Sequence, residues 1–132
     1  MIAALLMLAQ VAPAQSSPKP IETNIAAIRA NPHKFDGRVV RVRGWINRCR
    51  GRDCSIQERP LEAPGGPGEL LTIADDSKFD ATIGPLLPTY VEFDARFDAA
   101  CITTNVCLGR APVLTIVSLR AVVSPEPPHF EN

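Results

Sequence analysis

The chain has 132 residues, and its 14 Lys/Arg balance 14 Asp/Glu to a formal net charge of zero. That length supports one ordinary domain, and with 45% hydrophobic residues the chain can bury a core. One Trp, one Tyr and no net positive charge argue against the basic, aromatic-rich composition usual for binding single-stranded nucleic acid.

The chain opens on an apolar run from Ile2 to Ala9 followed by Ala12-Pro13-Ala14. Small residues at the two positions a signal peptidase reads predict a signal peptide over 1–14, cleaved after Ala14, and hence a periplasmic or secreted protein. The run is too short for a permanent membrane span, so none is expected after cleavage. A polar, Pro-containing leader over 15–20 follows, and a Pro-rich tail over 125–132 is its counterpart. The folded domain is expected over 21–124.

Ile21, Ile25 and Ile28, with alanines between them, give helical spacing and predict a helix over 23–30 capped by Thr23 or Asn24. Pro32 biases Asn31 away from helical torsions and ends it. Asp36-Gly37 is a turn dipeptide, with Gly37 tolerating positive φ. From Val39 the period becomes two. Val40, Val42, Gly44 and Ile46 point to one side and Val39, Arg41, Arg43 and Trp45 to the other. The first set reads as a barrel interior, with Gly44 permitting a sharp bend in a coiled strand.

Asn47 to Asp53 is an Arg-rich loop, and Ser55 to Glu58 a short second strand. Pro60 and the five consecutive prolines and glycines over 64–68 force an irregular connection over 60–68. A third strand over 69–74 stops at the turn 75–78. A single helical turn fits around 83–87. Tyr90 to Phe97 alternates, with Val91, Phe93, Ala95 and Phe97 facing the core and Tyr90, Glu92, Asp94 and Arg96 facing away. The segment 112–123 is a long apolar strand, and alternation places Val117 in the interior with Val40, Val42 and Phe93.

Three strands, a short helical turn and two more strands follow the order of a five-stranded OB-fold-like barrel with an N-terminal helix, a mainly β fold. The arrangement Asn31-Pro-x-x-Phe35-Asp-Gly-x-x-Val40-x-Val42-x-Gly44, behind a signal peptide and a helix, resembles small exported bacterial proteins with an OB-like barrel. The resemblance covers mainly 25–46, with looser echoes in 90–97 and 114–122. It implies the fold and carries no activity with it.

Cys49, Cys54, Cys101 and Cys107 form two local pairs. In an oxidising compartment an even count reads as disulfides, and Cys49 with Cys54 and Cys101 with Cys107 each close a short loop. A four-thiolate zinc site is the alternative, and it lacks the usual C-x2-C knuckle. No cofactor is expected. His33 and His129 read as solvated turn and tail residues. Asp75, Asp76 and Asp80 lack calcium-loop spacing and read as a solvated turn. No phosphate loop, nucleophile elbow or H-E-x-x-H occurs, so an enzyme is not expected.

Charge is divided along the chain. Residues 19–59 hold ten Lys/Arg against four acids, a net +6, and 60–132 hold four against ten, a net −6. Arg41, Arg43 and Trp45 on the first strand, Arg48, Arg50 and Arg52 on the loop after it, and Arg110 on the last loop form a candidate binding patch. OB-folds bind on the outer face of strands 2 and 3 between such loops. The expected partner is a protein or a cell-envelope polymer. An anionic oligomer such as single-stranded nucleic acid is the alternative. Internal neutralisation of the patch by Glu92, Asp94 and Asp98 competes with both.

Overall fold

The computed structural model describes residues 19–103 and 112–123. In chain order the elements are β1 (Ile21–Glu22), α1 (Ile25–Ala30), α2 (Pro32–Phe35), β2 (Val39–Ile46), β3 (Cys49–Arg50), β4 (Asp53–Gln57), β5 (Leu70–Thr72), α3 (Ser77–Ile83), β6 (Thr89–Phe97), α4 (Ala100–Thr103) and β7 (Leu114–Val123). A single 3-10 turn, Gly84–Leu86, extends α3. The fold is mainly β, a curled and largely antiparallel sheet with a few short helices. Among the described residues no helix is long and apolar enough to cross a membrane.

The sheet runs β3-β4-β2-β6-β7, with β5 paired to β4 and β1 lying parallel beside β2. β2 pairs with β6 along its whole length, from Val39↔Arg96 to Ile46↔Thr89, but meets β4 only at Trp45↔Gln57. Curling brings the end of β5 to the start of β7. There Ile73 and Leu114 form a parallel bridge, and Ala74 N–H donates to the Leu114 carbonyl at 2.7 Å.

Period two places Val40, Val42 and Ile46 of β2 and Val91, Phe93, Ala95 and Phe97 of β6 inside, all fully buried, as the alternation predicts. Ile56, Leu71, Ile83 and Leu114 complete the floor of this core. Gly44 sits where β2 crosses β4. A Cβ there would stand 2.6 Å from Ile56 Cγ1 and 2.8 Å from the Gln57 carbonyl oxygen, so only glycine permits the approach. Gly37 has the positive φ expected of it, 71°.

α1 starts two residues later than the spacing predicts, because Asn24, the second of the two expected caps, is the one that caps it, accepting from Ala27 N–H at 2.8 Å. Ile25 and Ile28 are its buried stripe. Pro32 does not lead straight into a turn. It opens the one-turn helix α2, which buries Phe35.

Two expectations need correction. The segment 75–78 is not simply a turn: Asp76 caps α3 by accepting from Phe79 N–H at 3.0 Å, and Phe79 and Ile83, four residues apart, pack on the core. The helical segment between the third strand and β6 therefore begins at Ser77, well before 83. Val117 does not join the interior; it is 57% exposed. The β6–β7 register shifts twice, passing over Arg120 between Glu92 and Phe93 and over Val117 between Asp94 and Ala95. Each shift is a bulge that inserts one residue into β7 and breaks the alternation. Ile116 and Leu119 face the core instead.

Candidate functional site

The outer face of the sheet divides the arginines into two groups. On β2 and β6, cross-strand partners are Arg41↔Asp94 and Arg43↔Glu92. Arg41 grips Asp94 with two hydrogen bonds, Nε to Oδ1 at 2.9 Å and Nη2 to Oδ2 at 3.2 Å. Arg43 Nε donates to Glu92 Oε2. From the other side, the bulge at Arg120 aims its guanidinium back across the sheet, with Nε 3.1 Å from Glu92 Oε1 and Nη1 3.8 Å from Asp94. Two acids on the middle strand thus serve three arginines. The hydrogen bond from Arg43, helped by Arg120, holds the Glu92 carboxyl below the usual carboxylate range. In turn Asp94 raises the Arg41 guanidinium and Glu92 raises that of Arg43. The internal neutralisation weighed above therefore holds for the strand residues through Glu92 and Asp94. Asp98 takes no part in it; its carboxylate accepts from Ala100 N–H at 2.9 Å.

The second group lies on the hairpin formed by β3 and β4. Cys49 and Cys54 face each other across it and are joined by a disulfide, as the spacing predicts. Both sulfurs are buried and bonded to one another, so the four-thiolate zinc arrangement does not hold for this pair. Asp80 of α3 fastens the hairpin tip, accepting from Gly51 N–H at 2.9 Å, with its other oxygen 3.1 Å from Cys49 Sγ. These three side chains bring their donor atoms within 4.8 Å of one another. Asp80 is thus an anchor rather than part of a solvated turn, and Asp76 is a helix cap. Arg48 lies 3.6 Å from Asp53. Arg50 and Arg52 are exposed and have no carboxylate partner among the described residues.

Behind this hairpin a cleft of about 300 Å³ opens over the outer face of β4 and β5. Its floor is Ser55 and Gln57 of β4 with Leu70 and Thr72 of β5, and Arg48 and Arg52 stand at its wall. Asn47 builds the far side. Its amide donates to Gln57 Oε1 at 3.0 Å and to the Arg59 carbonyl at 3.1 Å, and its Oδ1 accepts from Leu61 N–H at 3.1 Å. Leu61, 58% exposed, is thereby held at the rim. The irregular segment is itself tied down, with Arg59 Nε donating to the Gly66 carbonyl and Arg29 Nε 2.7 Å from Glu69.

Trp45 stands beside the cleft. It is paired across to Gln57 on one side and to Tyr90 on the other, where the rings meet edge-on at 5.8 Å between centroids. Of the expected patch, Trp45, Arg48, Arg50 and Arg52 cluster around the cleft and hairpin, while Arg41 and Arg43 belong to the ion ladder. Arg110 and the pairing of Cys101 with Cys107 lie outside the described residues, as does His129. Asn47, Gln57 and Asp80 carry no motif; only their places on adjacent strands and on α3 give them roles. Comparison of the chain with known protein families, with curated proteins and with solved structures found no match.

Proposed function

We propose that the chain is an exported, non-enzymatic binding module with an OB-type barrel, which holds a protein or a cell-envelope polymer through the cleft and its disulfide-closed hairpin. For the barrel, the supporting observations are the strand partners. Taken as strands one to five, β2, β4, β5, β6 and β7 pair as one with two, two with three, one with four and four with five. The parallel Ile73–Leu114 bridge adds the remaining contact, between three and five. These pairings support OB connectivity, the arrangement that the resemblance over 25–46 implies.

For binding, the observation that carries the reading is the cleft over the second and third of these strands, walled by Arg48 and Arg52. It is the face on which OB domains take extended ligands. The hairpin that carries these arginines is closed by a disulfide and fastened by Asp80, which lowers the ordering cost of binding. The nucleic-acid alternative loses Arg41 to Asp94 and Arg43 to Glu92, and among the described residues of the patch it keeps the hairpin cations.

The test is recovery of partners from an envelope extract by the wild-type chain and by an Arg48→Ala/Arg50→Ala/Arg52→Ala variant of equal thermal stability. The module reading expects bound material that the variant fails to retain. Equal recovery by both removes the hairpin from any role in binding.

A further inference from the structure

Across the outer face, register aligns one residue from each of four strands: Tyr90 of β6, Trp45 of β2, Gln57 of β4 and Leu70 of β5. With neighbouring strands about 4.8 Å apart, this row is about 14 Å long. It begins on a half-buried aromatic pair, passes over a carboxamide and ends in the cleft at Leu70, beside the hydroxyls of Ser55 and Thr72 and the guanidinium groups of Arg48 and Arg52. The sequence of surfaces is therefore aromatic, then polar and uncharged, then cationic.

From this row, and resting on the binding-module reading above, we infer that the ligand is an acidic polysaccharide strand, a chain of hexuronic acid residues lying along the row with its carboxylates toward the hairpin. A pyranose ring offers an apolar face to an indole and hydroxyls to an amide and to Ser or Thr side chains. A planar carboxylate matches the guanidinium fork. The other polymers fit less well. A peptide adding as a strand needs an open sheet edge, and beneath the cleft β4 and β5 are paired to each other. A nucleic acid needs stacking positions repeated along the groove, and the row holds one aromatic pair.

Trp45 is the chain's single tryptophan, so its fluorescence reports on this row alone. Hexagalacturonate titrated into the intact, disulfide-bonded chain should change that emission saturably. An Arg48→Ala/Arg52→Ala variant that melts like wild type should bind about tenfold more weakly or worse, the loss expected for charge-assisted hydrogen bonds. The methyl-esterified hexamer should bind more weakly by a similar factor. Equal binding of acid and ester, an undiminished variant, no binding of the hexamer at all, or tighter binding of oligothymidylate would each overturn the glycan assignment. If the hexamer fails while envelope partners are still lost with the hairpin arginines, the module reading stands and only the ligand class falls. If neither depends on those arginines, both fall.

Discussion

Replacing Gly44 by alanine forces a methyl group into the crossing of β2 over β4. Its carbon would lie 2.6 and 2.9 Å from Ile56 Cγ1 and Cδ1 and 2.8 Å from the Gln57 carbonyl oxygen, against the 3.4 Å or more of ordinary contact. Ile56 is fully buried and has no room to swing aside, and the carbonyl is backbone. The two strands must therefore separate by several tenths of an ångström at Trp45↔Gln57, their one paired position. Overpacking of this kind costs about 1–3 kcal/mol, offset by about 0.5–1 kcal/mol because alanine restricts the unfolded chain more than glycine does. The net expectation is a loss of about 1–2 kcal/mol, or a midpoint lowered by about 4–16 °C for a domain of this size. Thermal and urea melts followed by circular dichroism measure it. Truncating Ile56 to alanine relieves two of the three contacts, so the double variant should be less damaged than the sum of the singles. Strict additivity, or a Gly44→Ala chain within about 0.5 kcal/mol of wild type, would refute the close crossing.

The ion ladder gives a pH dependence of known sign. Glu92 has a folded-state pKa below its usual 4.5, so its stabilisation is present above that value and disappears as pH falls through the folded one. Acid titration of Glu92→Gln should accordingly show a shallower loss of stability than wild type over the same range, and an identical profile would exclude the ladder. Removing the Cys49–Cys54 disulfide by double serine substitution should lower stability by about 2 kcal/mol, as a loop this short implies, with amide exchange rising first in the hairpin. The bulges of β7 predict that Val117→Thr is tolerated within about 0.5 kcal/mol while Leu114→Ala costs about 2–5 kcal/mol, read from urea midpoints. A costly Val117→Thr beside a tolerated Leu114→Ala would restore the unbroken alternation, which puts Val117 inside and Leu114 on the opposite face.

Much of the sheet was legible because β2 and β6 obey period two along their length, which sorts Val40, Val42, Phe93 and Phe97 from Arg41, Arg43, Glu92 and Asp94 without any structure. Gly37 was legible from the Asp-Gly turn that needs its positive φ. Gly44 was legible as a special position but not for its reason, since the strand pattern suggests a bend and the structure shows a close crossing with β4. The bulges were not legible. Inserting a residue leaves no mark on composition, so the alternation of β7 reads through Val117 as if it were regular. α3 had a signal in Asp76 followed by Phe79 and Ile83, but the Asp75-Asp76-Ser77 run reads equally well as a turn. The division of the arginines was also hidden. Arg43 and Arg52 look alike in sequence, and only the register of β2 on β6 and the bulge at Arg120 decide which finds a carboxylate.

That division carries the functional reading, and the guanidinium Nε–H groups report on it directly. In the ladder each arginine presents Nε to a carboxylate: Arg41 to Asp94, and Arg43 and Arg120 to Glu92. Nitrogen-15 NMR of the arginine side chains should find these three Nε–H protons slow to exchange with water, and those of Arg48, Arg50 and Arg52 fast. Protection on the hairpin arginines, or fast exchange on the strand arginines, would contradict the account.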